Sequence, residues 1–182
     1  VTTGPGGTNA LTGVLGQWCD SIPGLYISGQ VKQSTTISAC PDLNLRQLGD
    51  QEVNIVDIVK PITKMAVMVT NPLDIKYYLD KSIYLALNGR PGPVWLDIPL
   101  DVQGAVIDES QLREFSPEEL EEKKPQIKRE EVELLTTKLQ EAKSPVIYVG
   151  NGVRLAGRVE QFLSIAESLG VPVVTAISGS DI

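Results

Sequence analysis

Histidine is absent from this sequence. Its absence removes Ser-His-Asp and Cys-His catalysis, together with the commonest zinc ligand. Cysteine is scarce. Cys19 and Cys40 are the two present, too few for a disulfide framework and spaced as no metal motif is, so a reduced chain is expected. Basic residues are outnumbered, with 16 Lys and Arg against 23 Asp and Glu and a formal net charge of −7. That balance disfavours nucleic acid as a partner, because phosphate binding needs clustered cations. No apolar run approaches the roughly 20 residues of a membrane span, and no basic segment precedes a hydrophobic block. No membrane partner and a cytoplasmic location are therefore expected. Chemistry is left to a cofactor, carboxylates, amides or lysines.

What is present reads as alternating helices and strands. A Gly4-Pro5-Gly6-Gly7 turn precedes a helix that Thr8 or Asn9 can cap, with Leu11, Val14, Leu15 and Trp18 at helical spacing. Leu25-Tyr26-Ile27 is a short apolar strand, and the polar stretch from Val31 to Gly49 reads as loop. A short helix over Asn54 to Val59 leads to a strand at Ala66 to Val69. Asn71-Pro72 pairs an Asn cap with Pro at the first helical position, and opens a helix closed at Gly89. Val94 to Ile98 is a strand between Pro93 and Pro99. Strands of this kind between helices imply an α/β fold with a parallel sheet covered on both faces.

From Asp108 to Lys128 Glu and Lys crowd together and the pattern reads as a solvated linker. A second α/β unit follows. Val132, Leu135 and Leu139 share a helix face, Pro145 to Val149 is a buried-type strand, and a helix from Val159 to Gly170 leads to a strand at Val171 to Thr175. The expected division is 1–107, a linker over 108–128, and 129–182. Val1 reads as the end of a strand, and Ile182 lies just past one, so one domain cut part-way and the start of another are expected.

Two glycine-rich turns sit where a strand hands over to a helix. At Gly4 to Asn9, absent Cβ atoms suit either a ligand wall at the carboxyl ends of parallel strands or a plain tight turn. Gly150-Asn151-Gly152 allows the same pair of readings. It is no nicotinamide fingerprint, since the third glycine is misplaced. Arg90-Pro91-Gly92 can be a ligand contact or simply a helix-to-strand turn. Lys64 reads as structural and Gln30 as a strand-end cap.

The ordered set Thr3-Gly4-Pro5-Gly6-Gly7-Thr8-Asn9, Asp20-Ser21-Ile22-Pro23, Ser28-Gly29-Gln30-Val31, Gln51-Glu52 and Ile62-Thr63-Lys64 is similar to thiamine-diphosphate-dependent enzymes of the acetolactate synthase type. Gly89 to Val94, Leu96-Asp97-Ile98-Pro99, Tyr148 to Gly152 and Pro172 to Thr175 continue the resemblance in order. It implies the later part of a pyrimidine-binding domain followed by the start of an FAD/NAD-binding-like central domain. It also implies a 2-oxo acid lyase or carboligase, in which the cofactor ylide attacks the keto carbon, carbon dioxide leaves and the enamine is passed to an acceptor. Gly4, Pro5, Gly6 and Asn9 would lie on the thiamine diphosphate side, with Gln51 as the catalytic amide. Arg90, Gly150, Asn151, Gly152, Thr175, Ala176 and Ile177 would lie on the side of FAD.

The resemblance further implies Mg2+ in the parent enzyme and a homodimer or homotetramer. The family's upstream glutamate would fall before Val1, and its Gly-Asp-Gly magnesium segment does not occur in this sequence. The expectation is thus a fragment inactive by itself. Asp50 stands where acetolactate synthases carry Phe, and Leu100 where they carry Lys, which turns expectation toward a different 2-oxo acid. The competing expectation is a non-catalytic nucleotide-binding or interaction module on the same scaffold.

Overall fold

The computed structural model describes residues 1–120 and 126–182. Residues 121–125, inside the stretch expected as linker, lie outside the described residues. The chain forms two compact units, Val1–Glu121 and Glu122–Ile182. Both are α/β, with parallel strands flanked by helices.

In the first unit β1 (Gly24–Gln30), β2 (Ala66–Met68) and β3 (Pro93–Pro99) form a parallel sheet in the order β1-β3-β2. Gly24 lies opposite Pro93 and Gln30 opposite Pro99, so β1 and β3 end together. Val1 extends the sheet at its edge, donating to the Ile27 carbonyl and accepting from the Gly29 N–H at 2.7 and 3.1 Å.

Alternation along β3 sends Trp95 to one face and Leu96 to the other. Trp95 packs with Val14 of α2 (Leu11–Asp20) and with Ile55 and Val59 of α3 (Ile55–Val59). It also stacks on Tyr26, the rings 5.2 Å apart and 3° from parallel. Leu96 packs with Val69, with Ile75 and Leu79 of α4 (Ile75–Leu87), and with Val102 of the short α5 (Leu100–Gln103). Enclosing Leu96 fully is worth about 2 kcal/mol, and helices cover both faces as the strand pattern implies.

Several local expectations change. Neither Thr8 nor Asn9 caps a helix. Instead α1 (Pro5–Asn9) begins at Pro5 with Gly4 as its cap, and Thr8 bonds back to the Pro5 carbonyl at 3.0 Å. Proline suits a first helical position, where its missing N–H costs nothing. Asn54 does cap α3, accepting from the Asp57 N–H at 3.3 Å. Asn71 caps a 3-10 turn, Pro72–Asp74, that runs directly into α4.

Part of the stretch expected to be a solvated linker is held against α4. Arg113 lies 3.7 Å over the Tyr77 ring, Phe115 meets the same ring edge-on at 5.7 Å, and Tyr77 donates its hydroxyl proton to Glu119 at 2.9 Å. A guanidinium over an aromatic face and a ring set edge-on against it recover contact that charge density alone does not reveal.

In the second unit α6 (Arg129–Glu141) precedes β4 (Ile147–Val149), which pairs in parallel with β5 (Val173–Thr175). The four-residue α7 (Gly152–Leu155) and α8 (Val159–Leu169) make the crossover. β4 is not buried along its length as expected: Val149 is enclosed but Tyr148 is 73% exposed. Val132 and Leu135 of α6 are exposed too. A sheet of two short strands offers these side chains little to pack against. Among the described residues no helix is long and apolar enough to cross a membrane.

Candidate functional site

A cleft of about 680 Å³ opens at the carboxyl ends of β1 and β3, where parallel α/β sheets place their ligands. Its lining includes Thr3, Gln30, Asp50, Gln51, Leu100 and Gln103. The two positions that depart from the acetolactate synthase pattern, Asp50 and Leu100, therefore face the same space as Gln51.

The glycine turn and Gln51 are brought together. Gly4 has a φ of 61° and is so close to Gln51 that a Cβ on it would stand 2.0 Å from the Gln51 carbonyl oxygen. Gln51 itself is left-handed, with a φ of 57°, a conformation rare for a residue with a side chain. Protein atoms thus stand where side chains on these two glycines would be. Gly4 receives Gln51, and a Cβ on Gly6 would meet Thr2 at 2.4 Å. Pro5, Gly6 and Asn9 belong to α1 and are not part of the cleft lining, whereas Thr2 and Thr3 are.

Beneath the cleft lies a polar cluster that sequence reasoning left out. Asp97 on β3 is fully enclosed. It accepts from the Ser28 hydroxyl at 2.5 Å and from the Gln30 amide at 2.9 Å. Burial pushes its carboxyl above the usual carboxylate value, and the bonds from Ser28 and Gln30 oppose that. The available signal was an acidic residue within an apolar strand bracketed by prolines, which has to find partners.

Glu52 ties the loop to the cleft rim. Its carboxylate accepts from the backbone N–H groups of Ile37, Leu48 and Gly49 at 2.6, 3.0 and 3.2 Å. Asp101 accepts from the Gln33 N–H at 3.2 Å at the other end of the loop.

Arg90 lies elsewhere. It precedes β3, at the amino end of the sheet, where its Nε donates to Ser21 at 2.7 Å. Arg90 and Lys64 line a second pocket of about 320 Å³ with Trp18, Cys19 and Pro91, and Lys64 donates to the Asn88 carbonyl at 2.5 Å.

In the second unit Gly150, Asn151 and Gly152 follow β4, and Thr175, Ala176 and Ile177 end and follow β5. The Ala176 N–H donates to the Val149 carbonyl at 2.8 Å, and a Cβ on Gly150 would touch Ala176 at 3.7 Å. Arg154 donates to Asn151 Oδ1 at 2.8 Å and also bonds Asp181. Gly152 opens onto free space.

Among the described residues the side-chain donors of the cleft are amides and hydroxyls, with the Asp50 carboxylate beside them, and no Lys or Arg lines it. Such a set fits an uncharged ring or the oxygens of a keto acid. A bound magnesium ion is a different matter: among the described residues no group of three or more His, Cys, Asp or Glu could hold a metal.

Residues 132–182 match the family model described as the thiamine pyrophosphate enzyme central domain. The acetolactate synthase large subunit of Corynebacterium glutamicum is 38% identical over 97% of this chain and 26% of its own length. The second unit thus resembles that family's central domain, and the chain as a whole is similar to part of an acetolactate synthase large subunit. Two further relatives extend the likeness. The acetolactate synthase isozyme 3 large subunit of Escherichia coli K12 is 38% identical over 98% of the chain and 30% of its own length. The glyoxylate carboligase of Escherichia coli O157:H7 is 36% identical over 98% of the chain and 28% of its own length. The chain thus spans less than a third of the curated relatives it matches.

Proposed function

We propose that the chain forms one wall of a thiamine diphosphate site in a 2-oxo acid lyase or carboligase, with Gln51 as the amide that meets the substrate. The observation that carries this is the seating of a left-handed Gln51 on Gly4 at the mouth of the cleft. Strained backbone of this kind persists where the surrounding structure enforces it, and it clusters at functional sites. When bound, the cofactor supplies the carbanion that adds to a keto carbon and lets carbon dioxide leave. This chain's own part is to donate from Gln51 to a substrate oxygen and to shape the acceptor side with Asp50 and Leu100. An acid and an alkyl group there favour a 2-oxo acid other than a second pyruvate as one of the two partners.

Relatives named both acetolactate synthase and glyoxylate carboligase support the reaction class and leave the acid open. Magnesium would be held by residues other than those described, and the working enzyme is proposed as a cytoplasmic homodimer or homotetramer. For the second unit we propose an FAD contact, because Gly152 is unobstructed at the carboxyl end of β4. Arg90, bonded to Ser21 at the amino end of the first sheet, is proposed as a further flavin contact.

The test is carbon dioxide release from 2-oxo acids by the intact protein. Release only when thiamine diphosphate and Mg2+ are both supplied is the expected result. Release without the cofactor would overturn the thiamine diphosphate reading, and none across a panel of 2-oxo acids would favour a non-catalytic module.

A further inference from the structure

One side chain behind the cleft lies a carboxylate that does not line it. Asp97 sits within β3, fully enclosed. Its Oδ1 accepts from Ser28 Oγ at 2.5 Å, and its Oδ2 accepts from Gln30 Nε2 at 2.9 Å. The same Gln30 nitrogen donates to the Val53 carbonyl at 2.9 Å, while Gln30 Oε1 accepts from the Val31 N–H at 3.0 Å. Ser28 in turn accepts from Trp95 Nε1 at 2.8 Å.

Each oxygen of Asp97 has a donor, as an enclosed carboxylate requires. An ionised carboxylate only accepts, so it dictates how its partners are turned: Gln30 must present its NH2 group and not its carbonyl. With one proton directed at Asp97, the other is aimed at Val53. Val53 lies two residues beyond Gln51, whose carbonyl rests on Gly4.

We infer that Asp97 is a positioning residue: acting through Gln30 it anchors Val53, and so holds the turn over residues 50–53 that presents Gln51 to the cleft. The inference rests on the proposal that Gln51 meets the substrate. Shape alone does not satisfy this role. Asn at position 97 keeps one acceptor oxygen and sets an NH2 group where the other stood, so it cannot accept from Ser28 and Gln30 in their present places, and the partner that meets the NH2 must present an acceptor instead.

The experiment compares Asp97→Asn, Gln51→Ala and the double variant in the intact protein with its cofactors supplied. Asp97→Asn is expected to lower kcat about tenfold with a smaller change in KM. On the Gln51→Ala background it should cost less than about twofold, because two residues acting as one unit do not lose their effects twice. Independently of turnover, backbone amides of residues 51–53 should exchange hydrogen about tenfold faster in Asp97→Asn, with amides of α4 unchanged.

Equal losses on both backgrounds, or unchanged exchange over residues 51–53, would overturn the inference. If Gln51→Ala alone leaves turnover intact, the proposal for Gln51 fails, and the exchange rates then decide the role of Asp97 by themselves. Should Asp97→Asn not fold, Gln30→Met cuts the chain of bonds at its next link and carries the same readouts.

Discussion

Gly4 and Gln51 touch backbone to backbone, so closely that a Cβ on Gly4 would stand 2.0 Å from the Gln51 carbonyl oxygen. Gly4 also has a φ of 61°. A side chain at this position is strained by the positive φ, on the order of 1–3 kcal/mol, and must push Gln51 aside as well. Gly4→Ala is expected to lower stability by at least about 2 kcal/mol in chemical denaturation. Gly6→Ala should be milder, because what it meets at 2.4 Å is the end of the Thr2 side chain, which can turn. Equal stability of Gly4→Ala and the parent would mean that Gln51 is not seated there.

Gln51 holds its own left-handed backbone, with a φ of 57°. Glycine would relieve that strain at some cost in unfolded-state entropy, for a net gain of about 0.5–1 kcal/mol. The same change deletes the amide. Gln51→Gly is therefore expected to melt at a slightly higher temperature while turnover drops on the order of 100-fold, as when one aimed donor is lost. A variant that is less stable and equally active would mark Gln51 as a structural turn residue.

Much of this fold could be read locally. Pro93 and Pro99 bracket β3, and Asn54 caps α3, because each signal acts within a few residues of its effect. What escaped depends on partners distant in sequence. Helix α1 starts at Pro5 because Gly4 lies against Gln51, and no local cap at Thr8 or Asn9 competes with that contact. Asp97 finds Ser28 and Gln30 only once β1 lies beside β3. The cleft lining of Thr3, Gln30, Gln51 and Gln103 likewise exists only once β1 and β3 end side by side.

Asp97 links stability to pH in an unusual direction for a carboxylate. Burial raises its folded-state pKa above the ordinary 3.8 against the opposing bonds from Ser28 and Gln30. Between that ordinary value and the raised one, the folded chain holds a proton that the unfolded chain has released. Stability from this group is therefore complete below the unfolded value and is lost as pH rises through the folded one. Subtracting the unfolding free energy of Asp97→Asn from that of the parent, pH by pH, isolates the contribution. The difference should fall with rising pH across this window. A rising difference would mean that Asp97 is held ionised by its partners more strongly than burial disfavours it.

Gly152 allows the flavin proposal to be separated from folding. A Cβ there would meet nothing within 4 Å, and its φ is not among the positive values. The residue also begins α7, where alanine is a better helix former than glycine. Gly152→Ala should leave the second unit as stable as before, or more so by about 0.5 kcal/mol. Gly179→Ala makes the contrast, since its Cβ would press on Gly150 and on the Val149 carbonyl at 3.2–3.3 Å and force the strand ends apart. If the free space beside Gly152 receives a flavin, the methyl group should reduce flavin retained per chain, measured by absorbance of the purified protein, with no fall in melting temperature. Flavin lost only together with thermal stability, as Gly179→Ala should show, would reflect damage to the fold. Full flavin content in a stable Gly152→Ala variant would remove Gly152 from any flavin contact, because no protein atom competes for the space that the new side chain occupies.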